Sequence, residues 1–160
     1  MSMRSIYLTG FIIVTSLLLT SIYFQVFKGM MPCPLCTLQR LSFGFLGILF
    51  LIGVFISRHS IRLIINFLCS LASLAGLIFA GRQVWLQHFP SADSSECGVS
   101  LQYMMQVLPV NEVVEKIFSG SAECTERGWE FLQMNMAEWS LICFAGFLLI
   151  SIWLVIKELR

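Results

Sequence analysis

The sequence is poor in charged residues, which make up 12% of its 160 positions, against about 25% in soluble domains. Ten Lys and Arg balance nine Asp and Glu, so the formal net charge is only +1. This balance excludes a basic nucleic-acid-binding protein. Apolar residues make up 58% of the chain and the mean hydropathy is +0.85, which excludes a disordered chain and an ordinary soluble enzyme. The composition therefore predicts a small integral membrane protein with no nucleic-acid partner.

Charge is absent altogether from four long apolar runs. These runs cover residues 5–27, 41–57, 63–81 and 139–156, and each has the length that a membrane-spanning helix requires. The first run is too long for the core of a signal peptide and no small-x-small cleavage site follows it, so we expect it to be retained. The runs predict an all-α membrane protein, a four-transmembrane-helix bundle that forms one integral membrane domain over residues 1–160.

Four spans place both termini and the 58–62 turn on one side of the membrane. The connecting loops 28–40 and 82–138 then lie on the other side. Basic residues near helix ends in short segments favour a cytoplasmic location for the termini and a periplasmic location for the loops. Within the long loop, apolar residues recur at helical spacing and predict a short amphipathic helix on the membrane surface. These residues are Val110, Val113, Val114, Ile117 and Phe118.

Small residues also recur at helical spacing inside the spans. The second run contains Gly44 and Gly47, and the third contains Ala72, Gly76 and Ala80. Such residues let helices approach closely in lipid, so they predict helix–helix contacts. Two cysteines, Cys69 and Cys143, also fall within spans, and we interpret both as small apolar fillers of the bundle.

The other four cysteines all fall in the two predicted periplasmic loops. Cys33 and Cys36 form a Cys-Pro-Leu-Cys motif, whereas Cys97 and Cys124 are far apart in the long loop. An even number of loop cysteines in an oxidising compartment predicts disulfides. Pro34 favours a helix start inside the motif, so Cys36 would lie in the first helical turn, where backbone N–H groups and the helix dipole favour a thiolate. Arg40 shares its helix face.

Three interpretations compete with redox chemistry at these cysteines, and one of them is a chance pairing. A structural disulfide is another, although a ring as small as that joining Cys33 and Cys36 gains little loop-closure entropy. A four-cysteine zinc site is the third, although such sites usually draw on two close pairs and 26 residues separate Cys97 from Cys124. Redox chemistry is the favoured interpretation, and we expect no metal site.

At this point the chain resembles the DsbB family, the quinone-dependent thiol oxidases of the bacterial inner membrane. The resemblance covers nearly the whole chain and includes the four spans, the short first loop and the long second loop. Where many family members carry an acidic residue and a histidine, this chain has Gln39 and Gln83. The matching motifs are Cys33-Pro-Leu-Cys36-Thr-Leu-Gln-Arg40, Leu86-Gln87 with Pro90, and Ser119-Gly120 followed by Cys124-Thr-Glu-Arg127-Gly-Trp129-Glu-Phe131.

The resemblance implies an electron relay through two cysteine pairs. A reduced periplasmic thioredoxin-like oxidase (DsbA-like) would attack a Cys97–Cys124 disulfide, with Cys97 forming the mixed disulfide. Cys124 would then pass electrons to Cys33, and Cys36 would reduce ubiquinone or menaquinone from the membrane pool while Arg40 holds a quinone oxygen. Two alternatives remain, a quinone reductase of the vitamin K epoxide reductase type and a non-catalytic membrane scaffold braced by disulfides.

Overall fold

The computed structural model describes residues 3–28, 33–89, 105–119, 124 and 130–160. Four of its helices are long and apolar enough to cross a membrane, which confirms the predicted four-transmembrane-helix bundle. A fifth, shorter helix confirms the predicted amphipathic segment. The elements are α1 (Met3–Lys28), α2 (Pro34–Phe55), α3 (His59–His88), α4 (Val110–Ser119), β1 (Glu130–Phe131), β2 (Met134–Asn135) and α5 (Met136–Leu159).

The long helices differ in their ends from the predicted spans. α2 starts before position 41 and stops at Phe55 instead of 57, and α3 starts at His59, inside the predicted 58–62 turn. α3 also continues to His88, beyond the predicted end at 81, and α5 starts at Met136 instead of 139. The ends of an apolar run indicate the limits of the hydrocarbon core of the bilayer. A helix can continue into the polar interface as long as its backbone hydrogen bonds are satisfied.

Local sequence explains the starts of α2 and α5. Cys33 is the N-cap of α2 and its Sγ accepts from the Cys36 backbone N–H at 3.3 Å, with Pro34 at the first helical position, as predicted. Asn135 caps α5 in a reciprocal capping box with Glu138. Each cap satisfies backbone donors that a helix start otherwise leaves without partners.

The main helix interfaces join α1 to α2, α2 to α3, and α3 to α5. α3 and α5 run antiparallel, since Arg62 contacts Glu158 at one end and Gln87 accepts from Asn135 at the other. No comparable interface joins α1 and α5 in the described part of the chain. A gap in the helix packing therefore separates these two helices, and it forms the seam between α1 and α5. The largest fully buried side chains of this core are Tyr7, Phe50, Phe144, Leu46 and Leu154.

The glycines differ in what surrounds them. A Cβ on Gly76 would lie 2.2 Å from Cε1 of Phe144, so α3 and α5 can approach closely only because this residue has no side chain. A Cβ on Gly47 would lie 3.2 Å from Val14, but a Cβ on Gly44 would meet nothing within 4 Å. The predicted packing role is confirmed at Gly76 and is wrong at Gly44, because sequence spacing does not say which face of α2 meets another helix.

Both chain ends and the α2–α3 turn meet at one end of the bundle. An Arg4 guanidinium N–H donates to Ser57 Oγ at 3.3 Å. The Glu158 carboxylate lies 3.2 Å from Arg62 Nη2 and 3.1 Å from His59 Nε2. The Cys-Pro-Leu-Cys motif, at the start of α2, lies at the opposite end. The structure thus separates a terminal end from a cysteine end, as the sequence predicts.

Candidate functional site

The two cysteines of the motif lie in contact at the start of α2. Their Sγ atoms are 3.1 Å apart. Cys33 is only 2% exposed, and Cys36 is half-buried. The N-cap geometry turns the two sulfurs towards different surroundings, because Cys33 precedes the helix and Cys36 lies within its first turn. The pair therefore connects two distinct environments.

On the Cys33 side, a compact apolar cluster excludes water. Cys124 is part of it and is 1% exposed, and its side chain hydrogen-bonds with Cys33. That hydrogen bond, a second one with Cys36, and burial all raise the pKa of the Cys33 thiol, because each favours the protonated sulfur. The cluster consists of Cys33, Leu35, Leu86, Val113, Ile117 and Cys124.

The amphipathic helix α4 contributes to this cluster. Val113 and Ile117 are both 6% exposed and pack against it, whereas Val114 faces outward. The sequence predicted the helix and its apolar face, and the structure adds that part of this face packs against the cysteines. The predicted partner of Cys124, Cys97, lies outside the described residues.

On the Cys36 side, the sulfur faces a cavity of about 300 Å³. Its walls come from all four long helices, and residues of α1 and α5 form a large part of them, so the cavity lies at the seam between these helices. Its lining is mostly apolar with a few polar groups, as in small-molecule sites generally. The lining residues are Leu17, Leu18, Thr20, Ser21, Cys36, Gln39, Arg40, Phe43, Gln83, Met136, Ala137, Trp139, Ser140 and Cys143.

Two buried glutamines contact each other, and one of them, Gln83, contacts Cys36. Gln83 Nε2 donates to Cys36 Sγ at 3.1 Å, and Gln83 Oε1 accepts from Gln39 Nε2 at 2.6 Å. Gln83 Oε1 also accepts from the Cys36 thiol at 3.4 Å. The two side chains are 4% and 5% exposed. Both glutamines line the same cavity as Cys36, beside the Cys-Pro-Leu-Cys motif.

Arg40 lines the same cavity as Cys36, in agreement with their shared helix face. Its guanidinium nevertheless reaches across to α1. Nε donates to Ser21 Oγ at 2.8 Å and Nη2 to the Ser21 backbone carbonyl at 3.3 Å, while Nη1 donates to Gln25 Oε1. Arg40 therefore links α2 to α1 by hydrogen bonds and also places a positive charge at the cavity wall.

Sequence reasoning missed several residues of this site. Cys143 was expected to fill the bundle but is half-buried and lines the cavity, whereas Cys69 lies in the core as expected. A signal was present for Ser21 and Gln25, because polar residues four apart on one face of a membrane helix indicate a polar neighbour. The resemblance singled out Gln83, but the predicted spans assigned it to the long loop, whereas it lies in α3.

The described residues contain no group of three or more His, Cys, Asp or Glu side chains that could hold a metal ion. The site consists instead of two contacting thiols, a third cysteine beside the first, and an apolar cavity beside the second. Such an arrangement can exchange disulfides on one side and pass electrons to a small apolar acceptor on the other.

Comparison with known proteins gives matches along almost the whole chain. A family model described as disulfide bond formation protein DsbB matches residues 3–154. Proteins named disulfide bond formation protein B from Methylococcus capsulatus and Hahella chejuensis are 36% and 34% identical, covering 91% and 90% of this chain and 89% and 88% of their own lengths. The one from Xylella fastidiosa (strain Temecula1) is 35% identical, with 99% and 93% covered. The chain therefore belongs to the DsbB family.

Proposed function

We propose that this protein is a thiol oxidase of the bacterial inner membrane. It reoxidises a periplasmic thioredoxin-like disulfide donor (DsbA-like) and passes the electrons through Cys97 and Cys124, then Cys33 and Cys36, to a membrane quinone, either ubiquinone or menaquinone. Both termini are cytoplasmic and the cysteine loops periplasmic in this proposal. Family membership supports the disulfide chemistry, and the two-sided environment of the Cys33–Cys36 pair supports the route.

The observation that carries the proposal is the position of the two sulfurs. Cys33 is buried against Cys124, and Cys36, 3.1 Å from Cys33, faces the cavity at the α1–α5 seam. A disulfide between Cys33 and Cys36 could thus exchange with a loop cysteine on one side. After reduction, the dithiol would present one sulfur to an acceptor within the bundle.

The cavity fits the head of a quinone. Such a molecule needs an apolar slot, donors for its two ring oxygens, and an exit for its long apolar tail. Arg40 and Gln39 line the wall and carry more N–H groups than they donate within the protein, and the seam between α1 and α5 would give the tail an exit towards lipid. When bound, a quinone supplies a two-electron, two-proton acceptor for the dithiol.

The protein's own groups prepare the dithiol for this transfer. Cys36 lies in the first turn of α2, near the positive end of the helix dipole, which favours the thiolate. Arg40 holds a fixed positive charge at the cavity wall, where negative charge develops during reduction of an acceptor. The neighbouring cluster keeps water away from Cys33, so the two electrons leave by the Cys36 side.

Burial also supports the division of labour between the cysteine pairs. Thiol–disulfide exchange requires an accessible sulfur, and Cys33 and Cys124 are 2% and 1% exposed. A protein partner could not reach either sulfur in this arrangement. Cys97, which lies outside the described residues, is therefore proposed as the cysteine that forms the mixed disulfide with the partner.

The test is anaerobic reduction of the purified protein, followed by quinone addition while free thiols are counted. We expect quinone to remove thiols from the wild type and from Cys69→Ala, a cysteine variant in the core away from the cavity. Cys36→Ser should show no reoxidation of Cys33. Cys97→Ser should keep quinone-dependent oxidation of the Cys33–Cys36 pair and lose turnover with the protein partner.

Failure of quinone to oxidise the reduced wild type would favour the non-catalytic scaffold. Quinone-dependent oxidation combined with full partner turnover in Cys97→Ser would instead contradict the assigned order of the relay. A reductase of the vitamin K epoxide reductase type has less support, because that class places its cysteine motif elsewhere among the helices and this chain belongs to the DsbB family.

A further inference from the structure

The relay requires Cys36 to depart when the Cys33–Cys36 disulfide is attacked at Cys33, and it leaves open which group stabilises the departing sulfur. The two sulfurs have unlike neighbours. Cys33 Sγ contacts Cys124 and accepts from the Cys36 backbone N–H at 3.3 Å, whereas Cys36 Sγ accepts from both the Gln83 amide N–H and the Cys33 thiol, each at 3.1 Å. An amide N–H strengthens its hydrogen bond when the accepting sulfur becomes an anion. The geometry thus favours negative charge on Cys36 over negative charge on Cys33.

We propose that Gln83 is a further catalytic residue, which stabilises Cys36 as the leaving thiolate, and that Gln39 is the positioning residue that orients Gln83. The proposal deepens the function proposed above and rests on it. Neither amide titrates in the physiological range, so the donor is present at every working pH. A histidine at the same place would offer a donor that depends on tautomer and protonation.

Gln39 holds the Gln83 amide in the orientation that places its NH₂ group nearest to the sulfur. A glutamine side chain can present either its carbonyl or its NH₂ group to a neighbour. Gln39 Nε2 donates to Gln83 Oε1 at 2.6 Å, so the carbonyl bonds most closely to Gln39, and the NH₂ group lies 3.1 Å from Cys36 Sγ against 3.4 Å for the carbonyl oxygen. Both side chains are at least nine-tenths buried, so water does not compete for these donors.

The assigned step balances as an ordinary thiol–disulfide exchange. The Cys124 thiolate attacks Cys33 Sγ, a Cys124–Cys33 bond forms, the Cys33–Cys36 bond breaks, and its electron pair goes to Cys36 Sγ. An exchange is faster when the leaving sulfur is the better stabilised anion. Gln83 therefore directs attack to Cys33 and leaves the thiolate on Cys36, beside the cavity.

The test uses the full-length reduced protein, depleted of quinone, and iodoacetamide as the probe. Alkylation rates at Cys36 and Cys33 are measured separately by mass spectrometry of the peptide that contains both. The variants are Gln83→Met, which keeps length without the donor, and Gln39→Met, which leaves Gln83 in place. The matched control is Gln87→Met, one helical turn further along α3, where the glutamine contacts Asn135 instead of a cysteine.

We expect Gln83→Met to slow Cys36 alkylation at pH 7 by about five- to ten-fold, the loss of one charge-assisted hydrogen bond partly offset by the greater nucleophilicity of a more basic thiolate. Gln39→Met should slow it by about two- to three-fold, because the Gln83 amide then turns freely. Gln87→Met should leave the rate unchanged. The ratio of Cys36 to Cys33 alkylation should fall in the first two variants only.

An unchanged Cys36 rate in Gln83→Met would overturn the proposal, as would an equal loss in Gln87→Met. If Gln83→Met does not fold, Gln39→Met decides, with slower alkylation supporting the proposal and an unchanged rate overturning it. The readout requires no quinone. A protein that fails quinone-dependent reoxidation but shows the alkylation pattern would disprove the proposed acceptor while leaving the role of Gln83 intact.

Discussion

At the residue scale, Arg40 combines a structural role with a proposed functional one. It is the seventh residue of α2 and shares a helix face with Cys36. Its guanidinium donates to neutral oxygens of Ser21 and Gln25 on α1. These contacts account for its position, and its place on the cavity wall leaves it able to meet a quinone oxygen.

Substitution of Arg40 should separate the two roles. We expect Arg40→Ala to raise the quinone KM by roughly ten-fold or more, because a charge-assisted hydrogen bond contributes about 1.5–3 kcal/mol. Arg40→Lys should recover only part of this loss, since lysine keeps the charge without the forked donors. Steady-state kinetics over a range of quinone concentrations measures the KM of both variants.

The control for this experiment is Gln25→Leu. It removes one of the hydrogen bonds between Arg40 and α1, but Gln25 is not part of the cavity wall. It should lower the thermal unfolding temperature in detergent with little change in KM. If Arg40→Ala and Gln25→Leu alter KM equally, Arg40 is an anchor between helices and has no direct part in the site.

At the element scale, the packing of α5 on α3 supports the inner wall of the cavity. The Phe144 ring lies over Gly76 and stacks on Phe43 with centroids 3.9 Å apart. Phe43 in turn lines the cavity. A rigid stack transmits any displacement of Phe144 to the cavity, because close-packed rings have no free volume into which to move.

We therefore expect Gly76→Ala to destabilise the protein by about 1–3 kcal/mol, the usual cost of overpacking, and to weaken quinone binding as well. Gly44→Ala should leave stability unchanged or slightly raised, since its Cβ meets nothing within 4 Å and alanine favours the helix. Thermal unfolding in detergent and the quinone KM are the measurements. Equal stability of the two variants would contradict the close approach of α3 and α5.

At the same scale, the helices show which sequence patterns depend only on interactions between neighbouring residues. The start of α2 was predicted because Pro34 and the N-cap position act within one turn. The amphipathic pattern of α4 was predicted for the same reason, but its contact with Cys33 and Cys124 was not. A periodic pattern indicates that one face of a helix is buried, and it does not name the surface that buries it.

At the scale of the whole molecule, the bundle has two chemically different ends. Arg4, Arg62 and Glu158 hold the termini and the α2–α3 turn together, and the cysteine motif lies at the other end. The nearly buried Glu158 carboxylate lies between Arg62 and His59, so α5 is joined to the start of α3. The proposed orientation exposes these two ends to opposite compartments.

Introduced cysteines at the two ends should test that orientation. Gln133→Cys lies in the exposed hairpin turn at the cysteine end, and Ser60→Cys lies on the exposed first turn of α3 at the terminal end. In intact spheroplasts, a membrane-impermeant maleimide should label Gln133→Cys, and it should label Ser60→Cys only after lysis. Site-resolved mass spectrometry distinguishes these labels from native cysteines. The reverse pattern would place the cysteine loops in the cytoplasm.

The sequence by itself determined the class of the protein, its four membrane helices and the helix start at its Cys-Pro-Leu-Cys motif. The length of an apolar run and the helix start at the Cys-Pro-Leu-Cys motif depend on residues that are close in sequence. A sequence pattern can therefore reveal them. The tertiary structure alone decided that Gln83 and Cys143 reach the same cavity as Cys36, that Arg40 bonds across to α1, and that Cys124 lies against Cys33. These contacts join residues on different helices and loops, and they depend on how antiparallel helices are offset and rotated, which no single segment specifies.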